Sequence, residues 1–409
     1  MKNFLSLLIL FLLAPVSLRA QIPKLIFPDG LGVNIHFVQG HKKDLDLIAA
    51  AGFKFVRMDF SWEWIEQKKG EYDWSPYDEL TANLKKRGLG AIFIFDYSHS
   101  FYEEDVASFH PITHAPERRP GSPQHPESIA AFARWAAASA KHFHGQKIIW
   151  EIFNEPNGFF WKPKPDANQY TALAFAVAKA IRAAEKKATI IGPATSGMPF
   201  DYLEIFLKSG VLEFLDAVSV HPYRGEAPET AGAEYKKLRE MIDRYAPKSR
   251  KGKIPILSGE WGYASQTGGF SVENQAAFAV RQQLFNLLEG IPLSIWYDWK
   301  NDGLNPHETE QNFGTVFNDL KPKPAYLALQ KLTRELSGFR VERLWPTERK
   351  DDFVLLCVNQ SGAKKLAVWT AGEPHTISIS PPENSRAGKS LLELELRPMP
   401  KYVSLPKGK

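Results

Sequence analysis

The chain has 409 residues, of which 44% are hydrophobic and 24% charged. That balance belongs to a globular protein and excludes a disordered or collagen-like chain. The formal charge of +5 is spread without a basic block or arginine-rich stripe, so no nucleic-acid partner is expected.

Met1–Ala20 has the form of a secretory signal peptide: Lys2, then an apolar run from Phe4 to Val16, then the small Ala20 before Gln21. Cleavage is expected after Ala20, which makes the protein secreted or periplasmic. A retained anchor is the alternative, but the run is shorter than the ~20 residues a span needs. No membrane association is expected once the leader is removed. Oligomeric state is not legible.

Beyond the leader, short apolar runs are each followed by a helix-period segment. The runs are Gly32–Phe37, Phe53–Phe60, Ala91–Asp96, Ile148–Phe153, Thr189–Ile191, Ala217–Val220, Ile254–Ser258 and Ser294–Tyr297. The helical segments cover Lys42–Ala51, Pro76–Arg87, Pro126–His144, Asp166–Lys187, Pro199–Ser209, Glu229–Arg244, Val272–Glu289 and Pro324–Leu336. Several open on Pro and several stop at Gly, among them Gly88, Gly145, Gly210 and Gly290, as helix ends do. Eight such units predict an α/β fold, a (β/α)₈ barrel spanning residues 21–337. No G-x-G-x-x-G follows a strand, which removes the dinucleotide-binding alternative. From residue 338 to 409 the pattern changes to β-like runs broken by Gly, Pro and Asn: Phe339–Trp345, Asp352–Asn359, Lys365–Thr370, His375–Ser380 and Leu391–Leu396. These predict a small antiparallel, sandwich-like domain. The single cysteine, Cys357, falls in one of these runs and is expected to be buried and inert.

A barrel of this kind carries its chemistry at the C-terminal ends of its strands. Those ends hold Arg57, His99, Asn154-Glu155-Pro156, His221-Pro222-Tyr223, Gly259-Glu260-Trp261 and Trp296. Among 46 acidic residues any one Glu says little. Two Glu at the ends of the fourth and seventh strands say more, because cleavage of a glycosidic bond needs one carboxyl to protonate the leaving oxygen and another to attack or to activate water.

Ile148–Pro156 (IIWEIFNEP) and Ile254–Gly262 (IPILSGEWG) resemble the strand-4 and strand-7 signatures of clan A glycoside hydrolases, families 5 and 39 in particular. Phe53–Trp64 with the following Gly70–Trp74 is similar to the clan's second strand and loop. The resemblance implies a retaining double displacement on a carbohydrate, with Glu155 as acid/base, Glu260 as nucleophile and no cofactor. It also implies that Arg57 and Tyr223 hold Glu260, that Asn154 takes a sugar 2-hydroxyl, that His221 stands near Glu155, and that His99 belongs to the site. Trp296 is expected to form a platform under the sugar. Trp161 and Trp261, with Phe159, Phe160, Tyr263, Trp299, Trp62 and Trp64, are candidate rings along the cleft or else packing residues.

Two other readings stay open: a non-catalytic carbohydrate-binding barrel, and a metal-dependent hydrolase. Six of the 11 His lie between His99 and His144, but Pro111 separates His110 from His114 and no H-E-x-x-H occurs. A loop that shapes the substrate site, from Ser100 to His125, is the expectation, with no metal.

Overall fold

The computed structural model describes residues 21–109, 115–380 and 391–406. The leader, and His110 and His114, lie outside the described residues. The strands are β1 (Leu31–Asn34), β2 (Phe55–Ser61), β3 (Gly90–Asp96), a loop hairpin β4 (Asp105–Phe109) and β5 (Pro116–Pro120), β6 (Ile148–Ile152), β7 (Thr189–Ser196), β8 (Ala217–His221), β9 (Ile256–Trp261) and β10 (Ser294–Trp296). Apart from the hairpin they run parallel and close into a barrel in the order β1-β10-β9-β8-β7-β6-β3-β2.

Around them lie α1 (Lys42–Ala51), the single turn α2 (Trp62–Ile65), α3 (Ser75–Lys85), α4 (Pro126–His142), α5 (Ala167–Ala184), α6 (Phe200–Lys208), α7 (Gly232–Tyr245), α8 (Val272–Leu288) and α9 (Pro324–Leu336). Local chemistry sets their ends. Asp166 caps α5 by accepting from the backbone N–H groups of Asn168 and Gln169, and Ser271 with Asn274 forms a reciprocal box at α8. The start expected at Glu229 is a 3₁₀ turn, Pro228–Ala231, and α7 proper begins at Gly232.

The barrel interior is layered. Phe55, Ile92, Ile149, Ile191, Ala217, Leu257, Leu293 and Ile295 form an apolar floor, and Ile22, from the segment ahead of β1, packs against it. Side chains two apart on a strand share a face. The next inward positions, Arg57, Glu151, Ser219 and Gly259, therefore sit one step nearer the C-terminal mouth, and there the interior turns polar. The alternate positions face the helices. Phe60, Phe93, Phe95, Trp135 and Trp150 make one aromatic cluster there, with Phe95 stacked on Trp150 at 4.7 Å.

The C-terminal segment forms β11 (Phe339–Leu344), β12 (Asp352–Asn359), β13 (Lys364–Thr370), β14 (His375–Ile379), β15 (Leu392–Leu396) and β16 (Lys401–Leu405). They make a four-stranded sheet, β11-β12-β13-β16, and a two-stranded one, β14-β15. Along β12 the faces alternate: Phe353, Leu355 and Cys357 join the barrel core, while Val354, Leu356 and Val358 pack with Ile379, Leu394 and Leu396. Burial pushes the Cys357 thiol up to about 12, so it stays protonated and unreactive. The segment ahead of β1 is tied to this sheet, because Phe27 N–H donates to Phe339 O at 2.8 Å and Gly338 N–H to Phe27 O at 2.7 Å.

Trp369 fastens the sheet to the barrel. It stacks on Phe353 at 5.0 Å and donates Nε1–H to Glu229 Oε1 at 2.7 Å. Glu229 is also held by a buried two-point pair with Arg281, at 2.7 and 2.6 Å. Trp369→Ala removes the ring and one acceptor contact of a buried carboxylate. It is expected to destabilise the protein by about 3–5 kcal/mol, the usual cost of deleting a buried aromatic ring, measured as a lower urea midpoint.

Candidate active site

Arg57 occupies the centre of the polar layer and is 1% exposed. Its Nε–H donates to Glu151 Oε2 at 2.6 Å, and Nη1 donates to Glu260 Oε2 and, at 3.3 Å, to Asn34 Oδ1. Its Nη2 donates to Asn154 Oδ1 at 2.7 Å and faces His221 Nε2 at 3.3 Å. Burial alone would favour loss of the proton, but the Glu151 and Glu260 carboxylates outweigh it and raise the guanidinium further.

A guanidinium has donors only. His221 Nε2 must therefore accept, which puts the imidazole proton on Nδ1, 2.8 Å from Glu155 Oε1. Arg57 and His221 thus link the two terminal carboxylates, and Tyr223 O–H donates to Glu260 Oε1 at 2.8 Å. Burial and then the Glu260 charge push the Tyr223 phenol well above its ordinary value, so it remains a donor.

Backbone irregularities aim these groups. The β9–β10 register steps by three residues against two between the pairs Ser258↔Ser294 and Trp261↔Trp296. The extra residue is a bulge at Gly259–Glu260, and it turns Glu260 into the barrel mouth. Gly259 has no room for a side chain, since a Cβ there would lie 2.2 Å from Ser219 Oγ and 3.1 Å from Glu151 Oε1. Across the mouth, Phe153 (φ 66°) and Glu155 (φ 45°) adopt left-handed conformations that cost non-glycine residues energy and recur at functional sites. The turn is held by Glu155 N–H donating to Ala194 O at 2.9 Å. A carboxylate oxygen of Glu155, a ring nitrogen of His221 and a carboxylate oxygen of Glu260 all lie within 4.8 Å of one another.

The cellulase family model (glycosyl hydrolase family 5) matches residues 29–303. The chain belongs to that family. It is a glycoside hydrolase, and its substrate is a carbohydrate. No curated protein matches it in sequence. Among solved structures it is similar to a family 39 glycoside hydrolase from the gut symbiont Bacteroides cellulosilyticus WH2, at 22% identity and TM-score 0.75, over 94% of this chain and 81% of that one. It is also similar to a family 39 β-xylosidase from Caulobacter crescentus (18%, TM-score 0.63, covering 90% and 83%). A glucosidase from Croceicoccus marinus matches at 13% and TM-score 0.61, covering 91% and 83%. At these identities the likeness is one of fold.

In this glycoside hydrolase Arg57, Asn154, Glu155, His221, Tyr223 and Glu260 converge, and four other expected site residues do not. Trp161, Trp261 and Trp296 are fully buried, at 0% exposure, and present no face to a ligand. Trp296 follows the inward Ile295 and so points out, donating Nε1–H to Phe313 O at 3.3 Å. Trp261 is turned out by the bulge that turns Glu260 in. Trp161 packs against Phe153 and Tyr170. His99 has both ring nitrogens engaged by backbone: Nε2 donates to Glu66 O at 2.8 Å, and Nδ1 accepts from Phe101 N–H at 3.1 Å. Both contacts brace the loop in which it lies.

Their places at the mouth go to residues that motif reading passed over. Tyr297, one beyond Trp296, lies 6.4 Å from Tyr223. Tyr97 stacks on Phe160 at 5.1 Å. Glu151 is fully buried between Arg57 and Ser219, whose hydroxyl donates to it at 2.5 Å. A Glu two residues after an inward Ile, inside an apolar run, was the available signal. Above it the Asp96 carboxyl is pushed well above its ordinary value by burial and then by Asp59. Glu310 is also raised, by burial first and then by Glu260.

Arg57→Lys offers a point cation in place of a fork. It is expected to lower kcat/KM at least about a hundredfold. Leaving Glu151 with an incomplete partner is expected to cost about 3–5 kcal/mol of stability. In the double variant Arg57→Met/Glu151→Gln, urea unfolding should recover part of that loss while activity stays absent.

Proposed function

We propose that the chain is an exported, retaining glycosidase that cleaves a β-linked O-glycosidic bond in a polysaccharide or oligosaccharide by double displacement. Glu155 is the acid/base and Glu260 the nucleophile. The observation that carries this reading is that one carboxylate oxygen of Glu155 lies within 4.8 Å of one of Glu260, an approach that fits the closer of two known spacings. Retaining enzymes hold their carboxyl groups about 5–5.5 Å apart, whereas inversion needs about 6.5–9.5 Å to seat a water between them.

The surrounding groups fit these roles. Glu260 receives hydrogen bonds from Arg57 and Tyr223, which hold its charge and aim one oxygen at the anomeric carbon. Glu155 delivers its proton to the departing oxygen. His221, donating from Nδ1, then stabilises the carboxylate left behind, which takes a proton from the water that opens the glycosyl–enzyme ester. Asn154 keeps its carbonyl on Arg57, which leaves its NH₂ end for the sugar 2-hydroxyl, a contact that strengthens in the transition state.

Two cavities open beside loops at the barrel mouth. One of about 260 Å³ includes Tyr97, Phe160 and Lys162 in its wall, and one of about 420 Å³ includes Tyr223, Tyr263 and Phe313. Their placement favours a chain bound across the centre and cut internally. A further cavity of about 470 Å³ around Leu89, Gly90 and Lys147 lies at the start of β3, remote from the carboxylates. Export rests on the Met1–Ala20 leader, and processing would leave Gln21 as the N-terminal residue, read by mass spectrometry of the secreted product.

Incubation with β-linked polysaccharides is expected to release an oligosaccharide ladder, and proton NMR of the first product should show the β-anomer. An α-anomer would reject retention. Glu260→Gln should lower kcat by about four orders of magnitude, as loss of a nucleophile does. Glu155→Ala should spare aryl glycosides with good leaving groups far more than natural substrates, since only the latter need protonation. Equal cleavage by wild type and Glu260→Gln would sink the assignment.

A further inference from the structure

We propose that His36, Asp298 and Asp302 form a binding site for one divalent transition cation of the Zn²⁺ type, at the seam where β1 meets β10. His36 lies two residues beyond β1, and Asp298 two residues beyond β10. These strands close the barrel through the pairs Leu31↔Ser294, Gly32↔Ile295 and Val33↔Trp296. One ligand atom from each of the three side chains lies within 4.8 Å of the other two.

Asp298 decides the matter. Its side chain is 1% exposed, yet neither carboxylate oxygen has a hydrogen-bond partner. A carboxylate taken out of water without partners is costly, and this one sits beside available donors that do not serve it. Lys323 Nζ turns instead to Asn301 Oδ1 at 3.2 Å and Asn312 O at 3.1 Å. His36 Nε2 stands 3.4 Å from Asp298 Oδ2, an ion-pair contact longer than a good hydrogen bond. That separation has another meaning: two ligand atoms each about 2.0–2.1 Å from a tetrahedral Zn²⁺ lie roughly 3.3–3.4 Å apart.

The donor set selects the cation. One imidazole and two carboxylates suit Zn²⁺ or a neighbouring transition metal with a fourth, water-held position, whereas Ca²⁺ and Mg²⁺ demand six or more oxygens. The exposed sides of His36 and Asp302 supply the entry path and room for that water. The other such cluster among the described residues, Glu155–His221–Glu260, differs in kind, because Arg57 and Tyr223 already engage both Glu260 oxygens and Arg57 also faces His221 Nε2.

A cation here would brace the cleft wall. The Tyr297 ring stands edge-on to His36 at 5.6 Å and near Tyr223, the donor to Glu260.

The test reads metal and not activity, so it stands apart from the proposed function. Tag-free, chelator-stripped protein is titrated with ZnCl₂ by calorimetry, in parallel with H36Q, D302N and E260Q. Circular dichroism without metal checks that each variant is folded, and both site substitutions fall on side chains open to solvent. One Zn²⁺ per chain is expected, retained in E260Q. H36Q and D302N should each weaken it by more than about a hundredfold, beyond what losing an outer hydrogen-bonding partner costs. No binding by wild type would overturn the proposal, and so would binding that survives H36Q and D302N but vanishes in E260Q.

Discussion

A guanidinium carried into the middle of a barrel must find an acceptor for nearly every N–H, because the desolvation of an ion is repaid only by close, well-directed partners. Arg57 meets that condition with two carboxylates, two amide oxygens and an imidazole nitrogen, and each demand constrains something else. Glu151 has to be inward on β6, which leaves no volume for a side chain at 259. Ser219 has to be small and hydroxylic to satisfy the second oxygen of Glu151. His221 has to hold its proton on the side facing Glu155. The pair of glutamates is thus placed by a charge that touches one of them directly and the other through a ring.

Alternation made much of this visible beforehand. Each of the eight expected strands and helices is present, because apolar runs punctuated by Gly and Pro are a strong local signal. Alternation also governed what went astray. Ile295 is part of the barrel floor, so Trp296 has to face the helices and Tyr297 the mouth. The strand itself implied that answer, but a tryptophan at a strand end drew the role. Trp261 is a different case. Counting by twos from Leu257 would send it inward, and only the bulge reverses it, a feature that depends on how β9 pairs with β10 and whose one mark in the sequence is Gly259. His99 was misleading for a third reason: its partners are backbone atoms of Glu66 and Phe101, and such contacts have no sequence signature. In the C-terminal sheets β16 escaped notice because Lys401–Leu405 is short and flanked by prolines.

The β12 strand shows how one short sequence serves two cores. Its odd positions complete the packing over α8 and its even positions fill the space beneath β14–β15. Such a strand reads as continuous apolar sequence where a solvated sheet would alternate. The sheet is therefore a packed layer of the same body as the barrel, with the Trp369–Glu229–Arg281 contacts as its polar fastening.

Ile22 and Phe27 fix where the chain enters. The first lies against the apolar floor of the barrel and the second is tied to β11, so the segment ahead of β1 is held at the end opposite the carboxylates. Gln21, where the described residues begin, therefore lies at the back of the molecule. A label or tether joined at that end would leave the barrel mouth, on the far side, clear. Held by that end on a solid support, the barrel would still present its mouth to a carbohydrate polymer.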